Sequence, residues 1–325
     1  MLSDLPPEIL VLPPLAIAAG LDLYLTLLFL GAVPTTMWWS EPLPGALGDL
    51  DSLGVIAMVG GFYLLEFTAE RFPTAALLWN AFHTVIRPVS GALLALLLLD
   101  GQAPLVIVGG AVLGGVLASA AHSIRSGASI LRWLSSSPVP HPLLTSLLED
   151  VVVLGIVALV IDVPNWALAA GLVLAVAGAW SGASRVRAFA FAVRLVAGRV
   201  FQTLGARRWT HTEDFPAWVR AALARDVMAP GGGLRGSPVG AHLLPGAPPF
   251  ITGWIVVRGD TPIFVFRARR GTGLVDLADL HALEVAESGF FRSIDLRRRT
   301  AGRASIFFAL NGPSTESLEA EFILA

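Results

Sequence analysis

Six stretches of roughly twenty predominantly apolar residues run through positions 1–184, and a helix of that length, rising ~1.5 Å per residue, matches the ~30 Å hydrocarbon layer of a bilayer. That feature predicts an all-α polytopic membrane bundle of about six transmembrane helices. The stretches run from about Pro14 to Val33, Leu53 to Ala69, Ala75 to Leu99, Ala103 to Ala121, Pro142 to Ile161 and Trp166 to Ser184, each read as one span, with a kink expected at Pro88. Composition agrees, since 55% of the 325 residues are hydrophobic and only 14% charged, outside the range of a soluble globular chain. Met1–Glu8 has no basic residue and the apolar stretch after it exceeds a signal-peptide core, so it is expected to stay as the first span.

The arginines give an independent test of this topology. Six crossings place Arg71 to Arg87, Arg125, Arg132, Arg185, Arg187, Arg194 and Arg199 on one side, and leave loops holding only Glu41, Asp49, Asp51, Asp100 and Asp162 on the other. The positive-inside rule then puts both termini in the cytoplasm and makes the chain a multi-pass protein of the inner membrane. Trp38, Trp39 and Trp166 are expected at the outer interface, and Trp79, Trp133 and Trp180 at the inner one.

Residues 185–204 mix arginines with Phe189, Phe191, Leu195 and Val200, and read as a basic helix lying at the interface, or a linker. Residues 205–325 read as a small C-terminal α+β cytoplasmic domain. Its expected parts are a helix over Pro216–Val227, a Gly- and Pro-rich linker over Met228–Pro249, a hairpin of Phe250–Arg258 with Pro262–Arg270, a helix over Ala278–Glu287, and strands over Ala304–Leu310 and Ala320–Leu324.

The polar residues inside the apolar stretches form a pattern: Ala19-Gly20-Leu21-Asp22, Tyr63-Leu64-Leu65-Glu66 with Glu70-Arg71, then His83-Thr84-Val85-Ile86-Arg87-Pro88, Ala121-His122, and Ser146-Leu147-Leu148-Glu149-Asp150. Over about Pro14–Ser184 this pattern resembles the bacterial membrane-protein family called domain of unknown function 4126. The resemblance implies a fold and no particular activity. Asp22 and Glu70 depart from the Asn and Asp that the family pattern implies there.

Each ionisable group inside a span costs roughly 2.5–3.5 kcal/mol, so these residues need partners, water or protonation. Counting along the helices places Asp22, Glu66, Glu149 and Asp150 within about 5–13 Å of the inner face, where His83, Arg87, His122 and Arg125 also enter. The predicted intramembrane cluster is therefore Asp22, Glu66, Glu70, Arg71, His83, Arg87, His122, Arg125, Glu149 and Asp150. Two readings stay open for it: a salt-bridged network that pins the helices, or a proton- or cation-handling site with histidine relays. Leu64-Leu65-Glu66 is echoed by Leu147-Leu148-Glu149, which suggests a 3+3 inverted repeat, although the two glutamates lie at unequal distances from the starts of their spans. Gly110, Gly114 and Gly115 form a small-residue face for close helix packing. Arg297, Arg298, Arg299 and Arg303 form a candidate docking surface for acidic lipid or protein, beside the plainer reading of a solvated face.

Several functions are excluded or disfavoured. Absence of cysteine removes disulfides and thiolate chemistry, and absence of lysine removes Schiff-base chemistry and the P-loop lysine. A net charge of −2 gives no basic excess for nucleic acid. Gly231-x-Gly233-x-x-Gly236 matches a dinucleotide fingerprint as a string, but no strand is expected before it and no helix after it, so no nucleotide is expected. No nucleophile–base pair and no metal motif stands out, and neither catalysis nor a cofactor is expected. The first functional expectation is a non-catalytic accessory or scaffolding subunit that packs against other membrane proteins, or against itself, in the lipid bilayer and docks through its C-terminal domain. The alternative is a small-solute or ion permease, proton-coupled through the intramembrane carboxylates.

Overall fold

The computed structural model describes residues 6–33, 45–134, 142–201, 209–226, 234–258, 261–268, 271–278, 280–287, 291–298, 303–310 and 312–322. Asp4, Trp38, Trp39, Glu41, Gly231, Gly233 and Arg299 lie outside them, as do the side chains of Asp49, Arg132, Trp133, Arg199 and Arg298. The chain divides into two compact units, Met1–Ser126 with Pro138–Ala183, and Gly127–Ser137 with Ser184–Ala325.

The first unit is helical: α1 (Pro7–Leu21), α2 (Leu23–Ala32), α3 (Leu53–Ala69), α4 (Pro73–Leu98), α6 (Pro142–Asp162), and the first parts of α5 (Pro104–Leu134) and α7 (Pro164–Phe201). Two helical stretches, Ala75–Leu98 and Pro104–Leu131, are long and apolar enough to cross a membrane; a third joins them if the bent pair Pro164–Trp180 and Gly182–Val196 counts as one span. The expected first span is instead two helices. Asp22 is extended (φ −143°, ψ 103°) and its carboxylate accepts the Leu25 N–H, so it ends α1 and caps α2. Helix α1 also begins earlier than Pro14, holding Pro13 and Pro14 within it.

The core of this unit is built around α1, whose Val11, Leu12, Leu15, Ala18 and Ala19 are buried. Helix α1 packs on α4 and α6, and α2 on α3 and α6. The outward faces are apolar, with Phe82, Val85, Val112, Leu148 and Val173 exposed, whereas Glu66, Arg87 and Arg125 are buried. Such a distribution inverts that of a soluble protein and suits helices solvated by lipid. Where α4 crosses α5, a side chain on Gly91 would meet the Gly114 carbonyl, and one on Gly114 would meet the Gly91 carbonyl. A side chain on Gly110 would meet Leu99, and one on Gly115 the Pro88 carbonyl, so all three predicted packing glycines face neighbours within this chain.

The second unit is an antiparallel sheet domain. Its strands are β1 (Thr210–His211), β2 (Arg235–His242), β3 (Phe250–Arg258), β4 (Thr261–Ala268), β5 (Gly271–Asp276), β6 (Leu280–Glu287), β7 (Phe291–Arg298) and β8 (Arg303–Ala309), with helices α8 (Ala217–Asp226) and α9 (Thr315–Phe322). Neighbouring strands follow the order β5-β4-β3-β2-β8-β7-β6, with β1 beside β2. The two ends of that path, Asp276 of β5 and Leu280 of β6, are four residues apart, so they lie within about 14 Å. A flat sheet would hold them roughly 29 Å apart at ~4.8 Å per strand. The sheet therefore coils until its edges meet in one bent segment, around a core that includes Val239, Ile255, Phe264, Leu277, Ile294 and Phe308.

Three sequence expectations fail in this unit. The expected linker over Met228–Pro249 contains β2, a central strand paired with both β3 and β8. Its glycines serve contact, since a side chain on Gly236 would strike the Phe215 ring and one on Gly240 the rings of Phe191 and Phe250. Pro238 is accommodated because β8 pairs only with Val239–His242. The expected helix over Ala278–Glu287 is strand β6, where pairing with β7 overrides the helix preference of Ala, Leu and Glu. Of the expected strand over Ala320–Leu324, residues 320–322 are the end of α9, which packs against β6 and buries Leu318, and the rest lies outside the described residues.

Residues 185–201 form neither a linker nor a lone surface helix. They are the continuation of α7, and they bury Phe189, Ala192, Leu195 and Val196 within the second unit, with Phe191 against Phe250 at 5.8 Å. Their apolar face is thus used by protein.

Two stability predictions follow from this packing. Gly114→Val should lower thermal stability in detergent by about 1–3 kcal/mol, because backbone faces it and cannot withdraw. In the second unit, burial pushes the His242 imidazole below its usual pKa, opposed by its hydrogen bond to the Pro249 carbonyl. The unfolded chain therefore takes up a proton near pH 6.5 that the folded one refuses. Melting temperature should fall as pH drops through that range, and His242→Gln should flatten this part of the profile.

Candidate functional site

Two helices bring acids to one arginine on a third. In α5, the Arg125 guanidinium pairs with Glu66 of α3 (3.1 Å), with Glu70 at the end of α3 (2.7 Å) and with Glu149 of α6 (2.8 Å). Glu66 is the inner member, 2% exposed, whereas the Glu70 and Glu149 side chains are 20% and 25% exposed. The cluster thus runs from the edge of the helical unit into its interior.

The interior end is held by Arg87 of α4, which is fully buried. Its Nη2 donates to Glu66 Oε1 at 2.5 Å, and its Nη1 donates to the carbonyls of Gly20 and Leu21, the last two residues of α1. Ending α1 at Leu21 frees carbonyls that no further helical turn can satisfy, and Arg87 supplies the donors. A cation at a helix C-terminus also meets the negative end of the helix dipole. Asp22 follows directly, buried, with its side chain on Leu25 N and its carbonyl accepting the Thr26 hydroxyl at 2.6 Å.

Both cluster histidines are held by backbone. His83 Nδ1 faces the Trp79 carbonyl at 2.8 Å; a carbonyl only accepts, so Nδ1 carries the hydrogen and Nε2 of the neutral ring takes the Tyr24 hydroxyl at 3.0 Å. By the same argument His122 Nε2 donates to the Asn80 carbonyl at 3.2 Å, and its Nδ1 faces Ser126, whose hydroxyl also reaches Asn80 Oδ1. Trp79 packs its ring on His83 at 4.5 Å.

Of the predicted cluster, Arg87, Arg125, Glu66, Glu70 and Glu149 join in one ion-pair network, and Asp22 lies beside the carbonyls that Arg87 holds. Asp150 accepts from the Tyr63 hydroxyl at 2.9 Å. Arg71 stands apart, exposed, with its guanidinium 4.3 Å from the Phe67 ring centre. Tyr24, Tyr63, Asn80 and Ser126 are members that sequence reading missed. The signal was available for two of them: the chain has only two tyrosines, and both point into this cluster.

Counted together, five carboxylates (Asp22, Glu66, Glu70, Glu149 and Asp150) face two guanidiniums. Glu66 presents Oε1 to both arginines, and its buried Oε2 has no hydrogen-bond partner among the described residues. Among those residues no group of three or more His, Asp or Glu side chains is arranged to hold a metal ion.

An apolar-faced helical unit with a charged interior and helices long enough to cross a bilayer defines a membrane-associated class of protein. Within that class, the sequence pattern of the family described as domain of unknown function (DUF4126) matches residues 9–183, more than half of the chain, and the chain belongs to that family. No curated protein matches it. Among solved structures it aligns with one of Vav1 inhibited by an allosteric inhibitor, at 10% identity and a TM-score of 0.20, over 99% of this chain and 56% of that one. That score is too low to indicate a shared fold.

The geometry assigns different costs to the members. Arg87→Leu should destabilise the helical unit by about 3–5 kcal/mol, since it strands a buried carboxylate and two helix-end carbonyls. Asp22→Asn should keep the cap and leave melting within about 0.5 kcal/mol of wild type, whereas Asp22→Ala should cost ~1 kcal/mol. Thermal unfolding in detergent measures all three.

Proposed function

We propose that the helical unit is a permease for a small solute or ion, coupled to protons through Asp22, Glu66 and the carboxylates around Arg125. One observation carries this reading: three acids share two guanidiniums, and Asp22 and Asp150 add two more carboxyls with no ion pair among the described residues, next to the break between α1 and α2. A network built solely to pin helices is most stable when its charges match, because each uncompensated acid in a low-dielectric interior costs several kcal/mol. An acid surplus is relieved by binding protons or a cation. Discontinuous helices are the usual means by which membrane carriers expose backbone ends to such a site. The rise in exposure from Glu66 to Glu70 and Glu149 provides a route between the interior and one edge.

The finer architecture belongs to the same proposal. The broken α1–α2 pair serves as one crossing, and α3 to α7 supply five more, with both termini cytoplasmic by the arginine distribution. A 3+3 inverted repeat draws support from the echoed tripeptides, since Glu66 of α3 and Glu149 of α6 both end on Arg125. The accessory-subunit reading has less to stand on, because Gly110, Gly114 and Gly115 face Leu99, Gly91 and Pro88 of this same chain.

Purified protein in vesicles holding an internal pH dye and a potassium-diffusion potential tests the coupling. Wild type should acidify the lumen, and Glu66→Gln, which melts lower because it leaves the buried Arg87 without its carboxylate and is therefore assayed folded, well below its melting point, should slow that flux on the order of tenfold or more. Wild-type vesicles no leakier than empty ones would sink the proposal. Full flux in a folded Glu66→Gln protein would remove Glu66 from it.

A further inference from the structure

The sheet domain has two unlike ends. Strand register places the β2–β3 connection beside the starts of β3 and β8, since His242 pairs with both Phe250 and Ser305. The same end receives the close of β4, where Ala268 pairs with Gly271, and the close of β7, where Arg297 pairs with Arg303. Arg267, Arg297 and Arg303 are all exposed there. Arg297 and Arg303 sit directly opposite each other, a destabilising like-charge pair, and neither has an ion-pair partner among the described residues. At the other end Arg235 pairs with Glu321 and Arg292 with Glu287, while the half-buried Arg258 opposite Thr261 has no ion-pair partner among the described residues.

The connection between β2 and β3, Leu243-Leu244-Pro245-Gly246-Ala247-Pro248-Pro249, carries no charge. Leu243 is 51% exposed and held at φ +57°, a backbone region that a leucine rarely adopts. Its N–H bonds the Pro249 carbonyl, and the buried Leu244 anchors the loop to the core, so the exposed leucine is a fixed feature. Arg187 of α7 donates to the Phe250 carbonyl at 2.9 Å, which ties this end of the domain to α7. Arg187 lies seven residues after Trp180, the end of the apolar stretch Pro164–Trp180, so chain reach holds the two within about 25 Å whatever the bend between them. Chain connectivity alone therefore keeps the loop close to wherever that stretch leaves the bilayer.

We infer that this end of the sheet domain docks on the surface of the membrane that holds the helices, with Leu243 dipping among the acyl chains and Arg267, Arg297 and Arg303 against anionic lipid headgroups. Apolar insertion joined to clustered arginines is the combination that binds such surfaces. It also explains the unmatched Arg297–Arg303 pair, which phosphate groups neutralise. The inference rests on α7 crossing the bilayer at Pro164–Trp180 and is independent of transport.

The chain has no cysteine, so a single introduced cysteine labels one site. Full-length Leu243→Cys, Thr261→Cys and Trp180→Cys proteins, spin-labelled in bilayers with and without phosphatidylglycerol, report access to oxygen from the lipid and to a water-soluble relaxant. With phosphatidylglycerol, position 243 should be lipid-accessible and position 261, at the opposite end of the strands, should remain in water. Arg297→Gln with Arg303→Gln should lower the docked-to-free ratio by about fivefold per arginine, as should removing the anionic lipid in part. Water access at 243 in anionic bilayers overturns the inference, as does shielding that requires an added acidic protein. Lack of lipid access at 180 overturns the spanning premise and the inference with it, whereas lipid access at 180 with water access at 243 overturns the docking alone.

Discussion

Arg87 is the contact on which the helical unit depends, because one side chain resolves two separate problems of burial. It neutralises Glu66 from α3 and it receives the carbonyls freed where α1 stops at Leu21. Removing water from an isolated carboxylate costs several kcal/mol, and removing it from an unpaired carbonyl costs about 1–3 kcal/mol. A guanidinium suits both tasks, since it offers five N–H donors in a plane and stays charged, where a lysine ammonium is a single point. The break at Asp22 and the buried acid are therefore one structural feature. Each is tolerable only because Arg87 lies between them.

Arg125 repeats this logic with less closure. Its guanidinium meets Glu66, Glu70 and Glu149 at 2.7–3.1 Å, so a single positive charge serves three acids. Partial exposure of Glu70 and Glu149 lowers the cost at that edge, but Glu66 stays deep and leaves Oε2 without a partner among the described residues. The two arginines thus divide the cluster into a closed inner half that fixes helix positions and an outer half with charge to spare. Both arginine contacts fall on one oxygen of Glu66, Oε1.

Much of the helical unit was legible because lipid and helix geometry impose a simple rule: long apolar runs, with rare charges that must face inward. That rule drew attention to Glu66, Arg87, Arg125 and Glu149 before any coordinates. It says nothing about breaks, however, and an apolar run containing Asp22 reads as one helix unless the Asp is recognised as a cap for Leu25. The hydroxyl partners were also illegible, since Tyr24, Asn80 and Ser126 gain meaning only when α2, α4 and α5 meet. In the sheet domain the errors had one source. Local composition was allowed to decide what pairing decides: Gly236, Pro238 and Gly240 look like a linker, yet their lack of bulk and of one donor is what lets β2 lie beneath Phe215, Phe191 and Phe250.

The cost of the glycine-rich strand is informative about the domain as a whole. Glycine in a strand loses entropy and gives no side chain to the core, so placing two in a central strand is worthwhile only if large rings take the vacated space. Phe215 stands beside α8 and Phe191 belongs to α7, so each glycine marks where a covering segment is pressed onto the sheet. Position 240 therefore joins the sheet to the continuation of the apolar helix α7. The same end of the sheet carries the Arg187 bond to Phe250, the exposed Leu243 and the unmatched arginines. Ring packing and a charge-assisted hydrogen bond thus fix residues 187–191 of α7 on that end of the sheet.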